Sequence, residues 1–145
     1  MWALLLPIAY VIGTFPSAAL VARASGIDIR SVGSGNPGAS NVTRVLGWRK
    51  GVWVFVLDAA KGWAPVVAAA WAAPRFGWGE GTVGLVGLAA FVGHLWPVFF
   101  RFEGGKGVAT AAGVLLGLNP WLALATLATF AIIVFFFRYV SLASI

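Results

Sequence analysis

Asn41 and Arg44 are the first residues along the chain whose types and spacing could do chemistry. They lie in a polar, glycine-rich segment, GSGNPGASNVTRVLG, between two long apolar runs. The segment predicts a short helix over 37–46, because Asn36 is a good N-cap, proline fits the first helical position and Gly47 fits the left-handed position that ends a helix. On this helix the carboxamide and the guanidinium share a face. They project near a helix start whose free N–H groups attract anions, which predicts a phosphate-sized site.

The segment has two other interpretations. It could be an ordinary cap between membrane helices, with Arg44 serving only as a topology charge. It also contains a formal GxGxxG at Gly33, Gly35 and Gly38. A dinucleotide fold, however, needs a preceding buried strand and a following acidic residue inside a βαβ unit. Membrane-type runs flank the segment on both sides, so the dinucleotide interpretation is rejected and the helix-cap interpretation stays open.

A second anion-binding pattern is the loop EGGKG at 103–107. Successive glycines let backbone N–H groups approach an anion, and Lys106 adds a point charge. The loop is not a Walker A motif, because Phe100 stands where that motif needs glycine and Gly107 where it needs Ser or Thr. An ATPase is therefore disfavoured, while binding of a simple phosphate ester stays open. The alternative, a flexible turn with one topology lysine, is weakened because glycines surrender much chain entropy on ordering.

Composition places the chain in a membrane. Of its 145 residues 61% are hydrophobic and only 10% are charged, with a mean hydropathy of +0.94, which excludes an ordinary soluble domain. The net charge of +6 comes from basic residues scattered between apolar runs, so nucleic-acid binding is disfavoured. The chain has no cysteine, and one histidine with four carboxylates is a poor ligand set. No metal and no cofactor are expected.

The predicted fold class is all-α, a polytopic integral membrane helix bundle forming a single transmembrane domain over 1–145. Five spans are predicted, at 2–22, 52–73, 83–100, 108–118 and 121–137. The first is too long and too rich in Pro and Gly for a secretory signal. The fourth, with about 11 residues, would reach only about 16 Å against a hydrocarbon core of about 30 Å. It must therefore begin earlier, near Gly104, or be a thin, shielded or partly re-entrant span.

The basic residues predict the orientation. If the spans alternate, all basic residues outside them fall on one side except Arg75; the shared side holds Arg23, Arg30, Arg44, Arg49, Lys50, Arg101, Lys106 and Arg138. The positive-inside rule makes that side cytoplasmic and places the N-terminus outside. The glycine-rich segment, the GGKG loop and the closing RYVSLASI then reach the same face and can build one site.

Three ionisable residues fall within predicted spans, where such groups are costly and are functional candidates. Asp58 and Lys61 are i,i+3 neighbours that can neutralise each other. A structural brace is the favoured interpretation, with Asp58 holding a cationic neighbour of the site as the alternative. His94, the only histidine, is the one side chain that titrates near neutrality. Packing and catalysis are equally open for it.

Four motifs together resemble a known family. GSGNPGASNVTR at 33–44, DAAKG at 58–62, GHLWPVFFRFEGGKGVAT at 93–110 and RYVSLASI at 138–145 are similar, in order and spacing, to the bacterial acyl-phosphate:glycerol-3-phosphate acyltransferases, the PlsY family. The resemblance implies a multi-pass enzyme of the bacterial inner membrane. Such an enzyme moves a fatty acyl group from acyl phosphate to the 1-hydroxyl of glycerol 3-phosphate, giving lysophosphatidic acid for phospholipid synthesis. Its partners would be these two substrates and membrane lipid.

The resemblance also assigns site residues. It implies catalytic roles for His94, Ser34 and Asn41. It implies substrate or phosphate binding by a larger set, namely Gly35, Gly38, Arg44, Gly104, Gly105, Lys106, Gly107, Ser141 and Ser144. Ser34 has no GxSxG elbow, so direct acyl transfer without a covalent enzyme intermediate is favoured. Either His94 or a phosphate oxygen of the donor could serve as the base.

The family departs from this chain at the C-terminus. Its members are longer, with seven spans and a final motif bearing His, Asn and Glu, whereas this chain ends at Ile145 inside the third motif. A C-terminally truncated chain is therefore expected, which inserts but transfers little acyl group until it is extended. Two other classes stay open. A small transporter or channel for a phosphorylated anion usually shows inverted repeats, which are not evident here. A non-catalytic scaffold leaves the two phosphate-type loops unexplained.

Overall fold

The computed structural model describes residues 2–79 and 81–137, and every regular element within these residues is helical. This confirms the predicted all-α class. The helices are α1 (Leu5–Gly13), α2 (Ser17–Arg23), α3 (Ala39–Leu46), α4 (Trp48–Phe76), α5 (Gly81–Leu95), α6 (Val108–Leu118) and α7 (Pro120–Phe137), with 3₁₀ turns at Trp2–Leu4 and Val98–Phe100.

Three segments are long and apolar enough to cross a membrane: Trp2–Arg23, Trp48–Phe76 and Gly81–Phe100. They coincide with the first three predicted spans. The other two predicted spans are the shorter apolar helices α6 and α7. Helix α6 begins at Val108, after Gly107 with φ 80°, so it does not start near Gly104. It packs against α4, α5 and α7. A helix too short to span can be tolerated where protein rather than lipid surrounds it.

The first span is broken between α1 and α2. Pro16 lacks a backbone N–H, so the regular hydrogen-bond ladder cannot continue through it. The Phe15 carbonyl instead accepts hydrogen bonds from the Ser17 N–H at 3.0 Å and from Lys61 Nζ at 2.8 Å. Irregular backbone at membrane depth needs such partners. The break therefore places polar backbone beside the charged part of α4.

Glycines allow the helices to approach closely. A Cβ at Gly13 would overlap the Ala90 carbonyl oxygen where α1 crosses α5, and a Cβ at Gly113 would overlap that of Ala59 where α6 crosses α4. Small residues at such crossings let dispersion contacts form along the backbones, which is the main source of helix association in lipid.

The short helix differs from its prediction at one end. Helix α3 starts at Ala39 with Gly38 as its N-cap residue, so the predicted cap at Asn36 is wrong. Asn36 uses its backbone carbonyl to accept a hydrogen bond from the Gly38 N–H at 2.9 Å, which makes a tight turn before the helix. The predicted end is confirmed, because Gly47 follows Leu46 with φ 88°. Only glycine adopts this backbone conformation without steric cost.

Candidate active site

A cleft lies where the break in the first span meets α4, the end of α5 and the loop after it. Its empty volume, including open solvent at its mouth, is about 330 Å³. The polar and loop residues along it are Thr14, Ser17, Arg30, Asp58, Lys61, His94, Glu103, Gly104 and Gly105, joined by Phe15, Pro16, Pro37, Pro97 and Phe100. Of the predicted site residues, the structure brings His94, Gly104 and Gly105 into this cleft.

Asp58 is the centre of the buried polar network. Its Oδ1 accepts a hydrogen bond from Ser17 Oγ at 2.8 Å and forms an ion pair with Lys61 Nζ at 2.8 Å. His94 Nδ1 lies 3.8 Å from the same oxygen. The Asp58, Lys61 and His94 residues are 3%, 7% and 7% exposed. Mutual pairing allows the charges of Asp58 and Lys61 to stay buried. Through Ser17 and His94 the Asp58–Lys61 pair on α4 contacts α2 and α5, and both of its residues also line the cleft. Its role as a brace between helices therefore does not exclude a role in the site.

The loop at 103–107 is bound to the end of α5. The Gly104 N–H donates to the Leu95 carbonyl at 3.2 Å and the Gly105 N–H donates to the His94 carbonyl at 3.3 Å. These carbonyls are among those that a helix end leaves without intrahelical partners. A Cβ at Gly105 would overlap His94 Nε2. The glycines are therefore needed for close approach to α5. Since both amides already have partners, a phosphate contact from this loop would have to use other donors, among which the Lys106 side chain carries a positive charge.

Asn41 holds the glycine-rich segment in shape. Its Nδ2 donates to the carbonyls of Ile29 at 3.2 Å and Val32 at 3.1 Å, and its Oδ1 accepts from the Ser34 N–H at 2.9 Å. Asn41 is 2% exposed, whereas Arg44 is exposed. The prediction that the two side chains project together is wrong: positions three apart are neighbours on a helix surface, but Asn41 turns inward to bond the backbone of 29–34 while Arg44 stays exposed. The catalytic role of Asn41 stays a prediction, and the geometry gives it a positioning role.

Arg30 is a site residue that the sequence did not reveal. Its Nη2 donates to the Glu103 carbonyl at 2.9 Å, and its guanidinium lies 5.4 Å from the centre of the Phe100 ring. It thus connects the stretch just before the glycine-rich segment to the loop at 103–107. In the sequence Arg30 is one of many basic residues on the predicted cytoplasmic side, and its spacing does not distinguish it from the others. Ser17 was missed because nothing in its spacing linked it to Asp58, 41 positions further along the chain.

Several predicted site residues lie outside the cleft. Ser34, Arg44 and Lys106 are exposed and do not line it. Gly35 and Gly107 have φ values of 69° and 80° and shape the two loops. Gly38 caps α3. Ser141 and Ser144 lie outside the described residues. The phosphate-binding assignments of all these residues stay predictions.

An apolar groove continues from the cleft. It is lined by Val11, Ile12, Thr14, Phe15, Pro16, Lys61, Phe99 and Phe100, and its empty volume, including open solvent, is about 750 Å³. Five of these residues, including Lys61, also line the cleft. The two spaces are therefore contiguous, with a buried ammonium group at their junction. A polar cleft that leads into an apolar groove has the shape and polarity of a site for an amphiphile.

The fold and the cleft together define an integral membrane protein of the helix-bundle class, with a polar site that opens into an apolar groove. A family model described as glycerol-3-phosphate acyltransferase matches residues 3–145. The chain belongs to this glycerol-3-phosphate acyltransferase family, which confirms the resemblance found in its motifs.

Named relatives and solved structures agree with this membership. The glycerol-3-phosphate acyltransferase of Albidiferax ferrireducens is 58% identical over 137 residues, covering 94% of this chain and 61% of the relative. That of Ralstonia pickettii is 57% identical, covering 94% and 67%. The crystal structure of PlsY (YgiH), an integral membrane glycerol 3-phosphate acyltransferase, in its glycerol 3-phosphate form, is 45% identical with a TM-score of 0.90 and covers 99% of this chain and 70% of that one. Its lysophosphatidic acid form is 43% identical with a TM-score of 0.89 and covers 99% of this chain and 69% of that one. The chain thus spans roughly two thirds of the length of these proteins.

Proposed function

We propose that this chain transfers a fatty acyl group from acyl phosphate to the 1-hydroxyl of glycerol 3-phosphate, forming lysophosphatidic acid and inorganic phosphate. The observation that most directly supports this proposal is the continuity between the polar cleft at His94 and the apolar groove. One reactant of such a transfer is an amphiphile and the other is a small polar phosphate ester. The cleft and groove provide matching environments side by side, and the family membership supports the same chemistry.

The reaction does not require a covalent intermediate with the protein. Acyl phosphate is already activated and phosphate is a good leaving group, so juxtaposing the two substrates and stabilising the developing oxyanion carry the reaction. The hydroxyl oxygen of the acceptor forms a bond to the acyl carbon while the bond from that carbon to the phosphate oxygen breaks. We assign His94 to orienting the donor or receiving the hydroxyl proton. Asn41 acts through the glycine-rich segment that it holds in place, and is a positioning residue.

A single assay tests this function. Membranes receive acyl phosphate and labelled glycerol 3-phosphate, and lysophosphatidic acid is measured. Because the relatives are longer, the 145-residue chain is assayed beside a version extended by the C-terminal part of the Albidiferax ferrireducens relative. Formation of labelled product that requires acyl phosphate supports the proposal. Uptake of intact label into sealed vesicles without product would instead identify a transporter and overturn it.

Arg44 and Lys106 are proposed to bind substrate phosphate at the cytoplasmic mouth of the site. Arg44→Ala and Lys106→Ala should each raise the KM for glycerol 3-phosphate about 10- to 100-fold, because each removes a charge-assisted bond worth about 1.5 to 3 kcal/mol. Arg44→Lys should also bind poorly, since it loses the planar guanidinium fork. The matched control is Arg49→Ala, whose exposed guanidinium stacks 5.6 Å from the Trp48 ring. Wild-type kinetics in all three site variants would remove both residues from the site.

The proposed orientation, in the bacterial inner membrane with the N-terminus outside and the site facing the cytoplasm, can be tested by labelling. The chain has no cysteine, so single cysteines report without background. Ser34→Cys and Glu103→Cys, both at exposed positions, should react only from the cytoplasmic side. Gly79→Cys should react only from outside. Reaction of Gly79→Cys and Ser34→Cys from the same side would contradict the orientation.

A further inference from the structure

Lys61 is the charged residue that lines both the cleft and the groove. Its Nζ has two partners, Asp58 Oδ1 at 2.8 Å and the Phe15 carbonyl at 2.8 Å. A lysine ammonium carries three N–H donors. The two observed partners therefore leave one donor for a ligand at the junction of the two spaces.

The position of Lys61 restricts which ligand this donor would meet. A molecule whose alkyl chain fills the groove between Val11, Ile12 and Phe99 must place its head group at the junction. A small polar ester has no alkyl chain to bury in this groove, so apolar burial does not hold its phosphate group at the junction. The junction is thus suited to the head of a single-chain amphiphile.

A second cation favours an anionic head with several oxygens. Arg30 lines the same cleft, and one of its five guanidinium N–H groups is used by the Glu103 carbonyl. The two acidic residues along the cleft are Asp58, whose Oδ1 is already bonded to Ser17 and Lys61, and Glu103, which is exposed. The cleft also presents donors from two cations. A phosphate group can accept bonds from both cations at once.

We infer that Lys61 binds the phosphate head of the acyl donor at the junction, with the acyl chain lying in the groove, and that Asp58 and Ser17 are positioning residues for its ammonium. The inference rests on the proposed function and adds which residue holds which substrate. A lysine side chain is flexible in water. Two fixed acceptors, one on α4 and one in the break between α1 and α2, hold this one in place before the ligand arrives, which lowers the ordering cost of binding.

The test measures binding of hexadecylphosphonate, a non-hydrolysable amphiphile, to the 145-residue chain in lipid nanodiscs. Lys61→Met should weaken phosphonate binding at least tenfold, because a charge-assisted bond is lost. The neutral amide of the same chain length and glycerol 3-phosphate should bind as they do to the wild-type chain. The matched control is Lys50→Met. Lys50 lies on the same helix but does not line the cleft, and its Nζ donates a hydrogen bond of 2.6 Å to Ser25 Oγ.

A second variant keeps the result interpretable if Lys61→Met fails to fold with Asp58 left unpaired. Asp58→Asn with Lys61→Met removes both charges, and it should fold yet show the same loss of phosphonate binding. Unchanged phosphonate affinity in either folded variant would overturn the inference. Equal loss of palmitate and phosphonate binding would overturn the assignment to phosphate, since the site would then accept any anionic head.

Kinetics distinguish this inference from the proposed function. If the extended chain transfers acyl groups and Lys61→Met leaves the KM for acyl phosphate unchanged, the inference fails and the proposed function stands. If phosphonate binding depends on Lys61 but no acyl transfer occurs, the proposed function fails while the head-group site stands.

Discussion

Replacing Gly105 with alanine is expected to slow acyl transfer about a hundredfold while leaving the protein inserted in the membrane. The added Cβ would overlap His94 Nε2 and lie 3.4 Å from the Pro37 carbonyl oxygen. His94 is buried, with its other ring nitrogen 3.8 Å from Asp58, so the ring has little freedom to move aside. Either the loop or the imidazole must therefore shift. A displacement of about 1 Å among reacting groups can produce a loss of this size.

The measurement is the rate of lysophosphatidic acid formation by the extended chain, with the thermal unfolding temperature recorded beside it. Gly84→Ala is the matched control, because Gly84 lies on the same helix as His94 and a Cβ there would meet open space. It should retain wild-type activity. A Gly105→Ala variant with wild-type turnover would show that the close contact between this loop and His94 is not needed for the reaction.

The largest effect on stability is expected from Asp58→Ala. This change removes the acceptor of both Ser17 Oγ and Lys61 Nζ and leaves a buried ammonium with only the Phe15 carbonyl as its described partner. Breaking a buried ion pair by removing one partner costs about 3 to 5 kcal/mol. We expect a decrease of that size in the free energy of unfolding, measured by titrating mixed micelles with denaturing detergent and following tryptophan fluorescence.

Two controls isolate the buried charge as the cause. Asp28→Ala removes an exposed carboxylate that accepts one bond from the Arg30 N–H at 3.1 Å, and it should cost much less. Asp58→Asn with Lys61→Met removes both charges and should recover most of the lost stability, because replacing a whole buried pair with uncharged side chains is often neutral. An Asp58→Ala variant as stable as the wild-type chain would contradict the bracing role of the pair.

The helical elements could be predicted from composition and from the lengths of the apolar runs. Long apolar runs can satisfy their backbone hydrogen bonds in lipid only as helices or closed barrels, and their lengths favoured helices. The predicted runs at 52–73 and 83–100 therefore coincide with α4 and the α5 region. Gly47 ended the short helix as expected, since its role depends only on its own backbone conformation. The i,i+3 pairing of Asp58 and Lys61 is likewise local and is present in the fold.

Contacts between distant segments were beyond the reach of local pattern. Nothing in the spacing of Ser17, Asp58 and His94 indicates that one carboxylate would draw three helices together. Arg30 became part of the cleft only because the loop at 103–107 folds back onto α5 and places the Glu103 carbonyl beside it.

By itself the sequence determined the membrane setting, the helices and the family, since these follow from hydrophobicity, helix geometry and contiguous motifs that tertiary packing does not alter. The tertiary structure decided which polar groups share one cleft, that Asn41 faces inward while Arg44 faces out, and that Lys61 lies between a polar and an apolar space. These outcomes depend on how closely glycine-lined helices pack and on which buried polar groups find partners. Both are properties of the assembled bundle, because burial far from water makes every polar group depend on neighbours from other segments.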